Sequence, residues 1–180
     1  MGYAIAQRVD TDIADLYTGL TTTDVGTYGT DITDATVLAA IETLELNDVP
    51  AEDRAFVVDP TQKTALMKID KFVRADYLGE YQYAKPAVTG HGAGTSNMRY
   101  LFGDIYGIPT YWTNQVATTA GTPTQLHNML FHKEAFALAL QQAPRVQSSY
   151  ILEYIGNLVV VDIIYGRTTI RATFGVEVRS

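Results

Sequence analysis

Apolar residues near the start of the chain recur at helical intervals. Ile5, Val9 and Ile13 stand four residues apart, with charged residues between them, which predicts an amphipathic helix over residues 3–17. Gly19 is expected to end this helix because glycine is a poor helix former. The first element is therefore predicted to present one apolar face to a core.

A second helix is predicted over residues 35–46, where four aliphatic residues form an apolar stripe. Asp34 is the expected N-cap, and Asn47 and Pro50 mark the end. Between the two helices, residues 18–33 consist mainly of Thr, Gly and Asp. This composition predicts a loop because it offers few side chains that could pack.

Residues 55–58 form a short apolar run, which predicts a buried strand. Asp59 and Pro60 follow it as an N-cap and a first helical residue, a position where proline loses no hydrogen bond. The third helix therefore begins at Pro60, with Ala65, Leu66 and Ile69 facing inward. Six side chains are expected in one core: Phe56, Val58, Leu66, Ile108, Tyr111 and Phe136.

The second half of the chain has mainly strand-like patterns. One helix is predicted there, over residues 133–142, where several alanines accompany Leu138 and Leu140. Residues 118–124 are expected to turn. Strands are predicted at residues 98–102, 105–113, 126–131, 146–154, 158–165 and 168–178. Helices followed by a run of strands predict an α+β fold.

Residues 79–97 have few branched aliphatic side chains and four glycines, Gly79, Gly90, Gly92 and Gly94. A long excursion of this kind in a compact domain is typical of a functional or contact loop. Tyr81 and Tyr83 supply amphipathic contact area. We therefore predict a peripheral loop that a neighbouring subunit orders.

Composition narrows the possible functions. The chain has 180 residues, 47% of them apolar, and no cysteine, which excludes disulfides, thiolate metal sites and a cysteine nucleophile. The net charge of −7 argues against a protein that binds nucleic acid by neutralising phosphates. No run of about 20 apolar residues predicts a membrane span, and no signal peptide is apparent.

The charge is segregated along the sequence. Residues 1–60 carry twelve acidic and two basic residues, a balance of −10, whereas residues 61–180 carry a balance of +3. This split favours attraction between the acidic third of one subunit and Lys63, Lys68, Lys71 or Arg74 of another. A solvated acidic surface is the alternative interpretation.

Candidate chemical motifs are incomplete. The glycine-rich segment Gly90–Ser96 lacks the lysine of a P-loop and the preceding strand of a dinucleotide site. His91, His127 and His132 could join Glu134 at a zinc ion, but the two later histidines would face opposite sides of a strand. The remaining candidates also lack their required neighbours: Asp10, Asp12 and Asp15 for calcium, and Ser96, Ser148, Ser149 and Ser180 as nucleophiles. No catalytic, cofactor-binding or metal-binding residue is predicted.

Several segments, in a fixed order, resemble the major capsid protein of tailed double-stranded DNA bacteriophages, which has the Hong Kong 97-type fold. The first is Asp53–Gly79, with a strand, a turn at Asp59-Pro60, a helix and the run Lys68–Lys71. The other segments that carry the resemblance are Gly103–Asn114, Asn128–Ala139 and Asp162–Gly166, followed by Arg171 and Gly175-Val176. Together the resemblance covers roughly residues 33–180.

The resemblance implies an α+β fold with a mixed or antiparallel sheet flanked by helices. Residues 1–32 would be the end of a spine-type helix and a loop of the peripheral domain. Residues 33–145 would form the axial domain, and residues 146–180 would return to the peripheral domain as strands. Members of the family carry an N-terminal arm and an extended loop before this region, so the resemblance implies that the chain is either a fragment or a form that has lost these elements.

The resemblance also implies a function, that of a structural subunit of a capsid shell without catalysis or cofactors. The expected partners are copies of itself in pentamers and hexamers, scaffolding or decoration proteins, and packaged DNA bound only non-specifically. The expected location is the virion, assembled in the host cytoplasm, with no membrane partner. Two alternatives remain open: a ligand- or glycan-binding module that uses residues 79–97, Tyr77 and Trp112, and a metal-assisted hydrolase around His127 and His132.

Overall fold

A computed structural model of the chain describes residues 2–22, 24–73 and 101–180. The α-helices are α1 (Gly2–Ala14), α2 (Asp34–Leu46), α3 (Pro60–Leu66) and α4 (Asp70–Val73), with short 3-10 helices at Asp15–Gly19 and Leu152–Tyr154. The strands are β1 (Val25–Gly26), β2 (Arg54–Val58), β3 (Leu101–Ile105), β4 (Ile108–Trp112), β5 (Ala117–Thr119), β6 (Gln125–His132), β7 (Phe136–Ile151), β8 (Gly156–Thr169) and β9 (Gly175–Arg179). None of the described helices is long and apolar enough to cross a membrane.

Seven strands form one mixed sheet in the order β1-β9-β6-β2-β4-β3, with β5 also paired to β6. The β1–β9 and β2–β4 pairs are parallel, and the other pairs are antiparallel. The remaining two strands, β7 and β8, pair only with each other. The predicted α+β class with a mixed sheet is confirmed.

The main core lies on one face of the mixed sheet, under α2 and α3. On β2, Phe56 and Val58 point into it, and on the neighbouring strand so does Leu130. Leu44 of α2 and Leu66 of α3 are fully buried against them. Deleting any of these large side chains would leave a cavity and destabilise the mixed sheet.

A smaller cluster lies on the opposite face of the sheet, under α1 and the 3-10 helix at Asp15–Gly19. It contains Ala14, Ala117 and Met129, with Phe131 and Phe136 packed against it. Four of the six predicted core residues are therefore buried in the main core. The other two differ: Tyr111 is half-buried, and Phe136 is a half-buried member of the second cluster.

Helix boundaries follow the local sequence. α1 and the 3-10 helix after it end at Gly19, as predicted. The N-cap of α2 is Thr33 rather than Asp34, and its hydroxyl accepts a hydrogen bond from the Thr36 amide at 3.3 Å. Asp59 caps α3 as predicted, because its carboxylate accepts from the Thr61 amide at 2.8 Å.

The predicted helix over residues 133–142 is wrong, because β7 begins at Phe136. Large side chains at positions 136, 138 and 140 alternate with alanines, which is the period of a strand. The alanines raised the apparent helix propensity, but pairing with β8 decided the structure.

The predicted strand over residues 168–178 is also wrong as a single element. It is divided between the end of β8 and β9, since the chain turns at residues 170–174. In this turn the Ile170 amide donates to the Ala135 carbonyl at 2.8 Å. The division into regions 1–32, 33–145 and 146–180 stays a prediction, and β7 runs unbroken across residue 145.

Candidate contact surface

The strands β7 and β8 form a long antiparallel ribbon, which we call the hairpin (residues 136–169). Its pairs run from Phe136–Thr169 at the base to Ile151–Gly156 at the far end. Two register irregularities occur between Leu140 and Arg145. The hairpin has no third strand, so both of its edges lack a backbone partner among the described residues.

Both faces of the outer half of the hairpin carry exposed apolar side chains. Val146 and Val159 share one face, while Leu158 and Val160 lie on the other. All four are at least 40% exposed. An isolated two-stranded ribbon is marginally stable in water, and contiguous exposed apolar area is typical of a contact surface. The outer hairpin is therefore the part of the described chain that most needs a partner.

The far end of the hairpin, which we call the tip (residues 152–155), has the highest apolar exposure. Leu152, Tyr154 and Ile155 are 81%, 79% and 83% exposed. Ile155 has φ 47° and ψ 46°, a left-handed conformation that a β-branched residue adopts at a cost. Glu153 is the one charged residue of the tip. The tip thus presents three exposed apolar side chains and a single negative charge.

The base of the hairpin is held to α1. The buried carboxylate of Asp12 accepts from the Tyr165 hydroxyl at 2.5 Å and lies 3.3 Å from the Arg167 guanidinium. The hydrogen bond to Asp12 raises the pKa of Tyr165. At the end of the 3-10 helix, a Cβ on Gly19 would lie 2.4 Å from the Thr169 hydroxyl, so only glycine permits this approach. The base is therefore attached to α1, whereas the outer half makes none of these contacts.

An apolar cleft of about 400 Å³ lies between α1 and the mixed sheet. Ile13 of α1, Val57, Trp112, Met129 and Phe131 are among its lining residues. This volume falls within the range of about 300–1,000 Å³ that is typical of ligand pockets. Trp112, a residue of the ligand-binding alternative, thus lines this cleft. The Lys63 Nζ lies 4.5 Å from the centroid of the Trp112 ring.

Ion pairs connect the acidic N-terminal third to the rest of the same chain. Asp31 pairs with Lys68 at 3.5 Å and Asp34 with Lys71 at 2.6 Å. The hydrogen bond from Lys71 lowers the pKa of the Asp34 carboxyl. Further pairs of this kind are Asp12–Arg167, Asp24–Arg179 and Asp53–Lys133. The charges that are segregated in the sequence therefore meet within one molecule.

A buried polar cluster surrounds His127, in the middle of the mixed sheet. Its Nδ1 lies 2.6 Å from Glu177 Oε1, and its Nε2 lies 2.9 Å from the Thr119 hydroxyl. The Tyr17 ring stacks on the imidazole at 4.0 Å between centroids. The Tyr28 hydroxyl also donates to Glu177 at 2.9 Å. His127 is thus a buried residue of a central strand.

The electrostatics of this cluster favour a charged Glu177. Burial by itself raises the pKa of Glu177, but hydrogen bonds from His127, Tyr28 and Arg179 outweigh it and hold the pKa below its usual value. Burial and the hydrogen bond to Glu177 raise the pKa of Tyr28 to about 12. The cluster joins the 3-10 helix at Asp15–Gly19 and the loop at Tyr28 to the sheet, which is a structural role.

The other sequence-predicted candidates do not assemble into a site. His132 lies on the opposite face from His127, beside Phe174, and Glu134 pairs with Arg171 at 3.1 Å. Among the described residues, no group of three His, Cys, Asp or Glu side chains could hold a metal ion. The remaining serines are divided: Ser148 and Ser149 are exposed on the hairpin, and Ser180 is buried beside Asn128.

Several candidates lie outside the described residues. These are the loop at residues 79–97 with Gly90–Ser96, and Arg74, Tyr77, Tyr81, Tyr83 and His91. The hairpin is not predicted from the sequence as one continuous element. The signal that could have revealed it was the large–small alternation at residues 136–140, followed by the β-branched run at residues 159–164.

The fold is similar to solved phage structures. A structure from Mycobacterium phage Che8 matches 98% of this chain with a TM-score of 0.73 and 23% identity. The capsid structure of the Cyanophage P-SCSP1u matches 99% with a TM-score of 0.66 and 18% identity. The capsid of Ralstonia phage GP4 matches 90% with a TM-score of 0.58 and 16% identity. The resemblance to phage capsid proteins is thus confirmed at the level of the fold.

The chain spans only part of these structures, namely 60%, 63% and 50% of the respective matched chains. No family model matches the sequence, and no curated protein matches it.

Proposed function

We propose that this chain is a structural subunit of a phage capsid shell and acts by repeated contact with copies of itself. The observation that carries the proposal is the hairpin, an exposed apolar ribbon on a fold shared with phage capsid structures. The role is structural, and we assign no catalytic residue, cofactor or metal to it.

The physical basis is the sum of many weak contacts. In a closed shell each subunit touches several neighbours, so every contact gains effective concentration from the others. Individual interfaces can then be small. The hairpin supplies such an interface, because its faces are apolar and its edges lack a strand partner within the described ranges. When such a contact joins two different surfaces of neighbouring subunits, it closes into a ring if the rotation between subunits permits.

The proposed partners are other copies of the chain, arranged as pentamers and hexamers. Scaffolding or decoration proteins are further proposed partners. Contact with packaged DNA would be non-specific, because the net charge is −7. The proposed location is the virion, after assembly in the host cytoplasm.

The test measures association of the purified chain by size-exclusion chromatography with light scattering over a range of concentrations. Wild type should form oligomers, and Leu152→Ser should shift them toward monomer because it removes an apolar contact at the tip. Leu46→Ser is the matched control, since Leu46 is 78% exposed at the end of α2. A wild-type chain that stays monomeric throughout would overturn the proposal, and equal effects of both variants would exclude the hairpin as its surface.

A further inference from the structure

The tip and the cleft are two apolar features of the described chain that cannot satisfy each other within one molecule. Pro144 and Ile163 lie beside Gly2, at the start of α1. From there the hairpin continues to residue 151, roughly 20 Å farther at about 3.3 Å per residue. The cleft lies alongside α1, between its residues Tyr3 and Ala14 and the mixed sheet. The tip therefore lies beyond the start of α1, away from the cleft of its own chain.

We propose that the tip of one copy docks into the cleft of the next copy. This inference rests on the proposed function and specifies which two surfaces meet. Leu152, Tyr154 and Ile155 are the inserted side chains, and Ile13, Val57 and Trp112 are among those that receive them. Because two different surfaces of each copy are used, the contact is head-to-tail and can close into a ring.

Charge complementarity identifies the occupant as a second copy. Among the cations that the structure describes, Lys63 is the one without a carboxylate within ion-pair distance; its neighbour is the Trp112 ring. Glu153 of the tip forms none of the ion pairs found in the described chain. Docking places this acid beside that lysine. Asp10 also lines the cleft, so Glu153 must enter on the Trp112 side rather than the α1 side.

The conformation of Ile155 supports a role for its side chain. Glycine would adopt φ 47° without strain, whereas a β-branched residue pays a conformational cost and here exposes its side chain to water. Local strain at an exposed position is explained when the side chain has a partner. The cleft of a neighbour supplies that partner.

A charge-reversal cycle tests the contact. Glu153→Lys and Lys63→Glu should each weaken association by roughly threefold to tenfold, and the double variant should restore it to near the wild-type level. Sedimentation velocity measures the dissociation constants. Single variants without effect, or a double variant as weak as the sum of the singles, would overturn the contact.

The variant Ile155→Gly distinguishes an effect on folding from an effect on the contact between copies. This variant relieves the strain at residue 155, so the melting temperature should stay equal or rise, while association weakens by roughly tenfold. Association that is unchanged in Ile155→Gly would show that the side chain does not dock.

Crosslinking gives the direct geometric test, because the chain has no cysteine of its own. Chains carrying Ile155→Cys should form intermolecular disulfides with chains carrying Asn114→Cys, a residue of the cleft, under mild oxidation. Leu46→Cys, at the exposed end of α2, is the matched control and should not crosslink. Wild type that assembles without this crosslink would refute the tip-in-cleft contact alone. Wild type that never associates would refute the proposed function as well.

Discussion

Ile155 and His127 show how single residues depart from what their type suggests. Ile155 is an aliphatic residue that is 83% exposed in a left-handed conformation, whereas His127 is a titratable residue that is 3% exposed in a central strand. The exposure of Ile155 is explained by the proposed partner on another copy. The burial of His127 is explained by contacts within the chain, since both of its imidazole nitrogens have polar neighbours. Buried polar groups are tolerated when their hydrogen bonds are made.

Replacing Glu177 by Gln should lower the free energy of unfolding and should make that free energy less dependent on pH. The folded state holds the pKa of Glu177 below its usual 4.5, so this carboxylate stabilises the fold above pH 4.5 and loses that contribution as the pH falls through the lower folded value. Glu177→Gln should lower the free energy of unfolding at neutral pH by about 1–3 kcal/mol.

The measurement is urea unfolding of both proteins from pH 7 down to pH 3. The difference between wild type and Glu177→Gln should shrink as the pH falls below 4.5. Thr118→Ala, an exposed change on β5, is the control and should leave both curves unchanged. A constant difference across this range would contradict the assigned role of the Glu177 charge.

Individual elements could be predicted from the sequence where local signals agree. Asp59-Pro60 correctly placed the start of α3, and the spacing of apolar residues correctly placed α1 and α2. The hairpin could not be predicted as one element, because alanines at positions 137 and 139 favour helix locally and only pairing with β8 overrides them. The parallel pairing of β2 with β4 joins residues far apart in sequence, which no local pattern encodes.

At the scale of elements, the attachment of the hairpin to α1 depends on Asp12. Replacing Asp12 by Ala removes the acceptor of the Tyr165 hydroxyl and the nearer of the two carboxylates paired with Arg167, leaving Asp15 at 3.8 Å. We expect faster amide hydrogen exchange at residues 163–169, because the base of the hairpin loses its contacts with α1. Exchange in α2, which contacts neither group, is the internal reference. Unchanged exchange at the base would show that backbone pairing alone holds it.

At the scale of the whole molecule, acidic residues of the N-terminal third pair with lysines of the same chain. Lys68 and Lys71, which the sequence offered to a neighbouring subunit, pair with Asp31 and Asp34 of the same chain. Attraction between the acidic third of one copy and these lysines of another is therefore weakened. Apart from the single proposed contact of Glu153 with Lys63, what remains between copies is the net charge of −7, which repels.

Association should consequently strengthen as sodium chloride rises, because screening reduces repulsion between copies over about a Debye length. The sequence alone favoured the opposite dependence. Sedimentation velocity at low and high sodium chloride distinguishes them, with bovine serum albumin as a control for changes in solvent density and viscosity. Association that weakens steadily with salt would show that charge attraction between subunits dominates.

The central claim, that this chain is a shell subunit, is tested most directly by electron microscopy of the purified protein in negative stain. The fold shared with phage capsid structures and the exposed hairpin together predict closed rings of five or six copies, or larger curved assemblies built from them. Leu152→Ser should reduce the number of these particles, whereas Leu46→Ser should not. A field that contains only single 20 kDa-sized particles at every concentration would contradict the claim.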